Sequence, residues 1–246
     1  MIPNFFISEP YLKLTLAECY EDVNWIWIQE RQSDMALFPP LPVILGLAIN
    51  AKHMKVWSDF ENSKVPIPCK FKFLDYEYIY NPKHFNDLSG GKWEVYRKNI
   101  RKWLISNTSW SYRESFQWKE VSTLLADWFE RRKSTIEEAG MIATYGAYGD
   151  EIEGIHRKFL YDGYGKLAAI NIWDENWYYI NYRYVLTVAD QPHVDEFARY
   201  CFYTDREIQS KGKLVNDGGS LGNEGLERFK DKLNPVKKRK MYSYEP

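Results

Sequence analysis

Histidine and cysteine are scarce in this chain. The four histidines, His53, His84, His156 and His193, form no H-x-x-x-H pair. The three cysteines, Cys19, Cys69 and Cys201, are odd in number and far apart, so they give neither a metal-ligand spacing nor a disulfide framework. No metal site is expected, and a reducing compartment is. Long apolar runs are missing too. The longest, Ala36 to Ile49, has 14 residues and is broken by Pro39, Pro40 and Pro42, short of the roughly 20 that a membrane-spanning helix needs. Met1 to Pro10 lacks a basic, secretory-type start. A soluble, cytoplasmic protein with no transmembrane segment is expected. Excess charge of one sign is also absent: 33 Lys and Arg against 34 Asp and Glu leave a formal net charge of -1. No global basic field therefore attracts nucleic acid. Internal repeats and low-complexity tracts are not found.

What the chain does have is aromatic residues, at 17%, in an otherwise ordinary globular composition. Its 246 residues allow one large domain or two small ones, at roughly 100–200 residues each. The pattern predicts a helix over Leu12–Tyr20 and a strand over Val23–Gln29. A stiff loop is expected at Phe38–Pro42, then a helix over Val43–Ser58 and a strand over Lys70–Asp75. A helix follows the Gly90-Gly91 turn. The strongest helical signal is Trp118–Ala139, with Val121, Leu124, Leu125, Trp128 and Phe129 on one face. Strands are expected over Met141–Tyr148, Ile155–Tyr161, Lys166–Trp173 and Trp177–Leu186, then a helix over His193–Lys211. The last elements are a short strand Lys213–Asn216, a helix Asn223–Leu233 and a strand Val236–Tyr244. A polar stretch at Ser106–Ser115 suggests a soft boundary.

Two stretches carry a resemblance. The first, Leu74 to Trp103, contains D-Y-E-Y at Asp75–Tyr78, then S-G-G-K, then Arg97-Lys98-Asn99. The second, Lys213 to Tyr242, contains V-N-D-G-G-S-L-G-N-E-G-L and ends in a basic strand with a tyrosine. Together they resemble the C-terminal domain of phosphatidylglycerol lysyltransferases, the DUF2156 family. The family's acidic residue before L-G is here Ser220, and its K-R-N triplet is here Arg97-Lys98-Asn99. The resemblance implies an α+β (mixed α/β) fold of two tandem GNAT-like halves, residues 1–108 and 109–246. Each would have a mostly antiparallel sheet flanked by helices, and the second would carry the transfer site.

The resemblance further implies an acyltransferase that moves an acyl or aminoacyl group to an amine or hydroxyl by direct attack, without metal. In such folds two parallel strands splay apart and exposed N–H groups polarise the donor carbonyl. Those strands would be Trp177–Leu186 and Lys213–Asn216. Asn216 and Asp217 would be the catalytic pair. Gly218, Gly219, Ser220 and Gly222 would contact donor or acceptor. Lys230 would reach a phosphate or carboxylate, and Arg97, Lys98 and Asn99 would bind anionic groups. The donor, aminoacyl-tRNA or acyl-CoA, is a co-substrate and no cofactor is bound permanently. The segment Thr187–Pro192, where an acetyl-CoA enzyme carries its glycine-rich loop, has no glycine, which disfavours acetyl-CoA. The acceptor is left open among a peptide, a polar headgroup and a modified nucleic-acid base.

Each feature also has a plainer reading. The glycine stretch can be a tight strand-to-helix turn with Asn223 as N-cap. The basic residues near Arg97 can form a solvated helix face. The alternative for the whole chain is a non-catalytic GNAT-like module that binds nucleic acid or a protein partner.

Overall fold

The computed structural model describes residues 4–22, 25–30, 35–40, 53–58, 71–132, 136–147 and 152–244. In chain order its helices and strands are α1 (Glu9–Thr15), β1 (Glu18–Asp22), β2 (Trp25–Glu30), β3 (Met35–Pro40), β4 (His53–Ser58) and β5 (Phe71–Tyr80). Next come α2 (Glu94–Ser106), β6 (Ser111–Arg113), α3 (Trp118–Arg132), α4 (Ile136–Ala147), β7 (His156–Tyr161), β8 (Leu167–Glu175) and β9 (Tyr179–Thr187). The chain ends with α5 (Val194–Thr204), α6 (Arg206–Ser210), β10 (Leu214–Asn216), α7 (Glu224–Lys232) and β11 (Lys237–Tyr244). This is the mixed α/β class expected, and most strand pairs are antiparallel.

The chain divides into two compact units that interleave in sequence. The first holds residues 1–80, 175–181 and 214–246. Its strands lie in the order β1-β2-β3-β4-β11-β5-β10, followed by the start of β9. The long pair is β5 with β11, antiparallel from Lys237↔Ile79 to Tyr244↔Phe71, with an irregularity at Met241/Tyr242. β5 is rich in aromatic residues, which favour a pleated, half-buried surface, and β11 adds Tyr242 and Tyr244 after its basic run. Helix α7 lies against β5, where the Tyr80 hydroxyl donates to the Lys230 carbonyl at 2.8 Å. Its start is capped by the Asn223 side chain, which accepts from Leu226 N. Glu224 and Glu227 occupy its first turn and Lys230 and Lys232 its last, matching the helix dipole.

The second unit holds residues 81–174 and 182–213. It contains α2 to α6 and the remainder of β9, followed by β8, β7 and β6. Aromatic stacking fills its core: Tyr182 on Phe202 at 4.1 Å, Trp103 on Phe197 at 4.4 Å and Phe85 on Tyr203 at 3.9 Å. Such pairs contribute about 0.5–1.5 kcal/mol each beyond their area burial.

Four local expectations are corrected. Residues Met141–Ala147 are helical, within α4. Their run of small, β-branched and aromatic side chains fits either period, and Ile142 and Tyr145 are buried at helical spacing. The first helix ends at Thr15, where Leu16 takes a left-handed φ of 51°, so Cys19 and Tyr20 lie in β1. Phe38 to Pro40 close β3 rather than forming a loop. His53–Ser58 is a strand, β4, and the rest of the helix expected from Val43 lies outside the described residues.

Candidate functional site

Strands β9 and β10 are parallel neighbours, as the resemblance implies, but the pairing is short. It runs Leu214↔Tyr179, Val215↔Ile180 and Asn216↔Asn181. There β10 stops, while β9 continues to Thr187. On its other side β10 pairs antiparallel with β5 through Val215↔Tyr80 and Asn216↔Ile79. Two further main-chain bonds, Asp217 N to Tyr78 O at 2.9 Å and Tyr78 N to Gly218 O at 3.0 Å, carry the chain past the strand end.

Asn216 is fully buried at this point. Its side-chain oxygen accepts from Gly218 N at 3.0 Å. Only an oxygen can accept from an N–H, so the orientation of the amide is set. The Nδ2 group is then left buried with no hydrogen-bond partner among the described residues. Buried donors are nearly always satisfied, so an exception asks for an explanation.

The glycine stretch is held from both polarities. Its N–H side faces the carboxylate of Asp75, on β5. Asp75 accepts from Ser220 N at 2.6 Å, Ser220 Oγ at 2.8 Å, Leu221 N at 2.7 Å and Tyr76 N at 2.6 Å. Its C=O side faces the ammonium of Lys230. That group donates to the carbonyls of Asp217 and of Gly219, the latter at 2.9 Å, and lies 3.4 Å from the Asp217 carboxylate. Lys230, Asp217, Ser220 and Asp75 are all buried. A Cβ on Gly219 would sit 2.5 Å from Asp75 Oδ2, so only glycine lets the carboxylate this close. Gly218 has a φ of 60° and carries the Phe5 ring where a side chain would be. Gly222 and Leu221 lie at the exposed end of the turn.

Consecutive residues of an extended strand point to opposite faces. Asp217 turns with Lys230 toward α7, beside Tyr80 and the Tyr78 ring. Asn216 shares the other face with Ile79 and, two residues along β5, Glu77. The structure therefore separates Asn216 from Asp217. On the Asn216 face lies a buried ion pair, Arg239 Nη1 to Glu77 Oε2 at 3.1 Å, with Phe5 N donating to Glu77 Oε1 at 2.8 Å. On the α7 face, burial and the charges of Asp231, Glu227 and Asp75 push the Tyr78 hydroxyl well above the usual phenol range.

Arg97, Lys98 and Asn99 fall in the second unit, on α2. Arg97 donates to the carbonyls of Leu88 and Gly90, closing the turn before the helix. Asn99 donates to Glu196 at 2.8 Å. Lys98 is exposed, as are Arg101 and Lys102. The glycine-free segment after β9 is tied down by Gln191, which donates to Asp162 at 2.8 Å and accepts from Trp103 at 3.1 Å. A cavity of about 610 Å³ in the same unit is lined by Lys119, Asp127, Lys166 and Val188–Asp190. None of residues 216–222 lines it. Among the described residues no group of three or more His, Cys, Asp and Glu is placed to hold a metal ion. No described helix is long and apolar enough to cross a membrane.

Sequence reasoning gave Asp75 and Glu77 no role of their own and read Arg239 only as one of a basic run, Lys237–Lys240, on an edge strand, whereas β11 lies between β4 and β5 and Arg239 is fully buried. The D-Y-E-Y segment contained two of them, but their partners lie over 140 residues away in Ser220 and Arg239.

No family model and no curated protein matches the sequence. Solved structures do match the fold. A conserved protein of unknown function from Bacteroides thetaiotaomicron aligns over 97% of this chain and 88% of its own, at 17% identity and a TM-score of 0.70. The DUF2156 C-terminal domain of a putative lysylphosphatidylglycerol synthetase from Agrobacterium fabrum aligns over 96% and 86%, at 12% identity and 0.60. L-PGS from Bacillus licheniformis aligns over 93% and 84%, at 13% identity and 0.58. The chain thus shares the mixed α/β fold of these structures.

Proposed function

We propose that this protein is an acyltransferase that passes an acyl or aminoacyl group from an activated ester or thioester to an amine or hydroxyl by direct attack. One observation carries the reading: the Asn216 Nδ2 group is buried and unpartnered where the short β9/β10 pairing ends. A preorganised donor in a dry site stabilises charge that develops on a carbonyl oxygen as the tetrahedral intermediate forms. Its amide cannot turn away, because Gly218 N holds the oxygen end. In this reading the donor carbonyl accepts from Asn216 Nδ2. Asp217, Lys230, Ser220 and the glycines form the frame that keeps Asn216 in place.

The donor classes, aminoacyl-tRNA and acyl-CoA, both carry phosphates. The exposed Lys98, with Arg101 and Lys102, suits such a partner. Arg97 and Asn99 then shape that helix, since their side chains are engaged by Leu88, Gly90 and Glu196. The fold shared with L-PGS and the DUF2156 domain supports the aminoacyl form of the reading.

The test is a donor-consumption assay. Purified protein is incubated with a charged tRNA pool or with acyl-CoAs, in the presence of amine acceptors, and products are read by mass spectrometry. Transfer that depends on Asn216 is expected. A protein that binds charged tRNA but consumes no donor would instead be the non-catalytic module.

A further inference from the structure

An acyl transfer needs a second group on the same face as Asn216: one that receives the attacking amine and takes its proton. Glu77 and Asn216 share that face of the sheet. Ile79 is the direct partner of Asn216 in the antiparallel pair, and Glu77 lies two residues from it along β5, on the same side of the pleat. Opposite Glu77 on β11 stands Arg239, in register and 3.1 Å from Oε2. Arg239 has no solvent exposure and Glu77 is 2% exposed. Removing two charges from water is costly, and such pairs are weak devices for stability alone. The buried pair and the unpartnered amide donor lie on one face of the sheet, which also carries the buried polar side chains of Asn181 and Asp75.

The other carboxylate oxygen, Oε1, already has an occupant. The peptide N–H of Phe5 donates to it at 2.8 Å. The Phe5 ring covers Gly218, within 3.4 Å of where a Cβ would be. The preceding Asn4 is fully buried, and its side-chain nitrogen is unpartnered among the described residues. An N–H group of the chain thus rests on Glu77 at the distance a general base requires.

We propose that Glu77 is the carboxylate that binds and deprotonates the acceptor amine, and that the Phe5 N–H is the stand-in which the amine displaces. This assignment rests on the acyl-transfer reading and adds its acceptor site: a primary amine, bound through Oε1. In the step, the amine nitrogen forms a bond to the donor carbonyl carbon, whose oxygen accepts from Asn216 Nδ2. The bond from that carbon to the leaving oxygen or sulfur then breaks. The proton lost by the nitrogen passes to Glu77 Oε1 and from there to the leaving alkoxide or thiolate. The products are an amide and a neutral alcohol or thiol, and Glu77 returns to its ionised form beside Arg239.

The test reads amine binding with no donor present. L-alaninamide supplies a primary amine, and N-acetyl-L-alaninamide is the same molecule without one. Binding is followed by saturation-transfer NMR on the full chain. The wild-type protein is expected to bind only the free amine, and Glu77→Gln at least tenfold more weakly. Phe5→Pro deletes the resting N–H and is expected to bind several-fold more tightly than Phe5→Ala, which keeps it. Should Glu77→Gln unfold because Arg239 is stranded, the pair Glu77→Gln/Arg239→Met removes both charges and is expected to lose amine binding while staying folded. Equal binding of the two probes, unchanged affinity in the Glu77 variants, or no saturable binding to wild type and Phe5→Pro overturns the assignment. The two readings separate cleanly. Amine binding at Glu77 without donor consumption defeats the acyl-transfer reading alone, whereas donor consumption that survives Glu77→Gln defeats the Glu77 assignment alone.

Discussion

Asp75 holds Ser220 twice, through the peptide N–H at 2.6 Å and through the hydroxyl at 2.8 Å. The two residues are 145 positions apart, so this one carboxylate joins the two stretches that carry the family resemblance. Replacing Asp75 with Ala leaves three N–H groups and a hydroxyl with no acceptor in a mostly buried site. Each stranded donor costs about 1–3 kcal/mol. Relaxation of the loop recovers part of that sum, and a net loss of about 3 kcal/mol is expected in urea unfolding. Ser220→Ala removes only the hydroxyl and should cost about 1–2 kcal/mol.

Gly219→Ala tests the closeness of the same contact. The new Cβ would lie 2.5 Å from Asp75 Oδ2 and 3.2 Å from the Tyr76 carbonyl oxygen. Backbone and carboxylate must move apart, and overpacking of this kind costs about 1–3 kcal/mol. A lower urea midpoint is expected. The combination with Asp75→Ala should be less than additive, because that substitution removes the atom in the way.

Much of this frame could be read in advance, for identifiable reasons. Helix α7 announces itself by Asn223 as N-cap and by Asn234-Pro235 as its stop, and β10 by its place between Gly212 and the glycine stretch. Strands β7, β8 and β9 carry short aromatic and β-branched runs bounded by turn residues. These signals are local. The role of Lys230 was not legible as a clamp on carbonyls, since helical periodicity cannot say that α7 presses that residue onto the loop. The expected strand stopped at Asp75, whereas β5 runs on to Tyr80 and takes in Glu77; only the contacts with Ser220 and Arg239 show which partners the two carboxylates face. Met141–Ala147 was misread because its composition suits a strand as well as a helix.

Lys230→Met probes the other side of the loop. The ammonium serves the carbonyls of Asp217 and Gly219 and lies beside the Asp217 carboxylate. Its loss strands that charge in a buried site, for which about 3–5 kcal/mol is typical. Lys230→Met/Asp217→Asn should recover a large part of this, as measured by denaturant midpoints.

A cluster in the second unit gives the pH dependence. Lys158 lies 2.8 Å from Asp205, 3.2 Å from Glu207 and 3.8 Å from Glu114. Burial pulls its ammonium down, but the hydrogen bonds and charges of Asp205 and Glu207 outweigh that and raise it above 10.5. A cation held above its unfolded value stabilises fully below that value and loses the contribution as pH climbs through the folded one. The wild-type protein should therefore lose more stability than Lys158→Met between about pH 10 and about pH 12, at and above the free-lysine value. Urea midpoints of both proteins at the two pH values decide it.

Asn216 offers the separation of frame from chemistry. Its Oδ1 holds Gly218 N, whereas its Nδ2 holds nothing among the described residues. Asn216→Ala deletes both functions. It should lower stability by about 1–2 kcal/mol, the value of one buried hydrogen bond. It should also lower donor turnover by about 10²–10³-fold, the usual effect of removing one oxyanion donor. The loss is expected in kcat with KM little changed, because the bond strengthens only as charge develops on the carbonyl. Asn216→Asp keeps an oxygen for Gly218 N and still lacks the donor, so it should be as inactive as Asn216→Ala. Ser220→Ala disturbs the frame alone and should remain active at temperatures where it is folded. Turnover that persists in both Asn216 variants would show that the buried amide serves the fold and not the carbonyl.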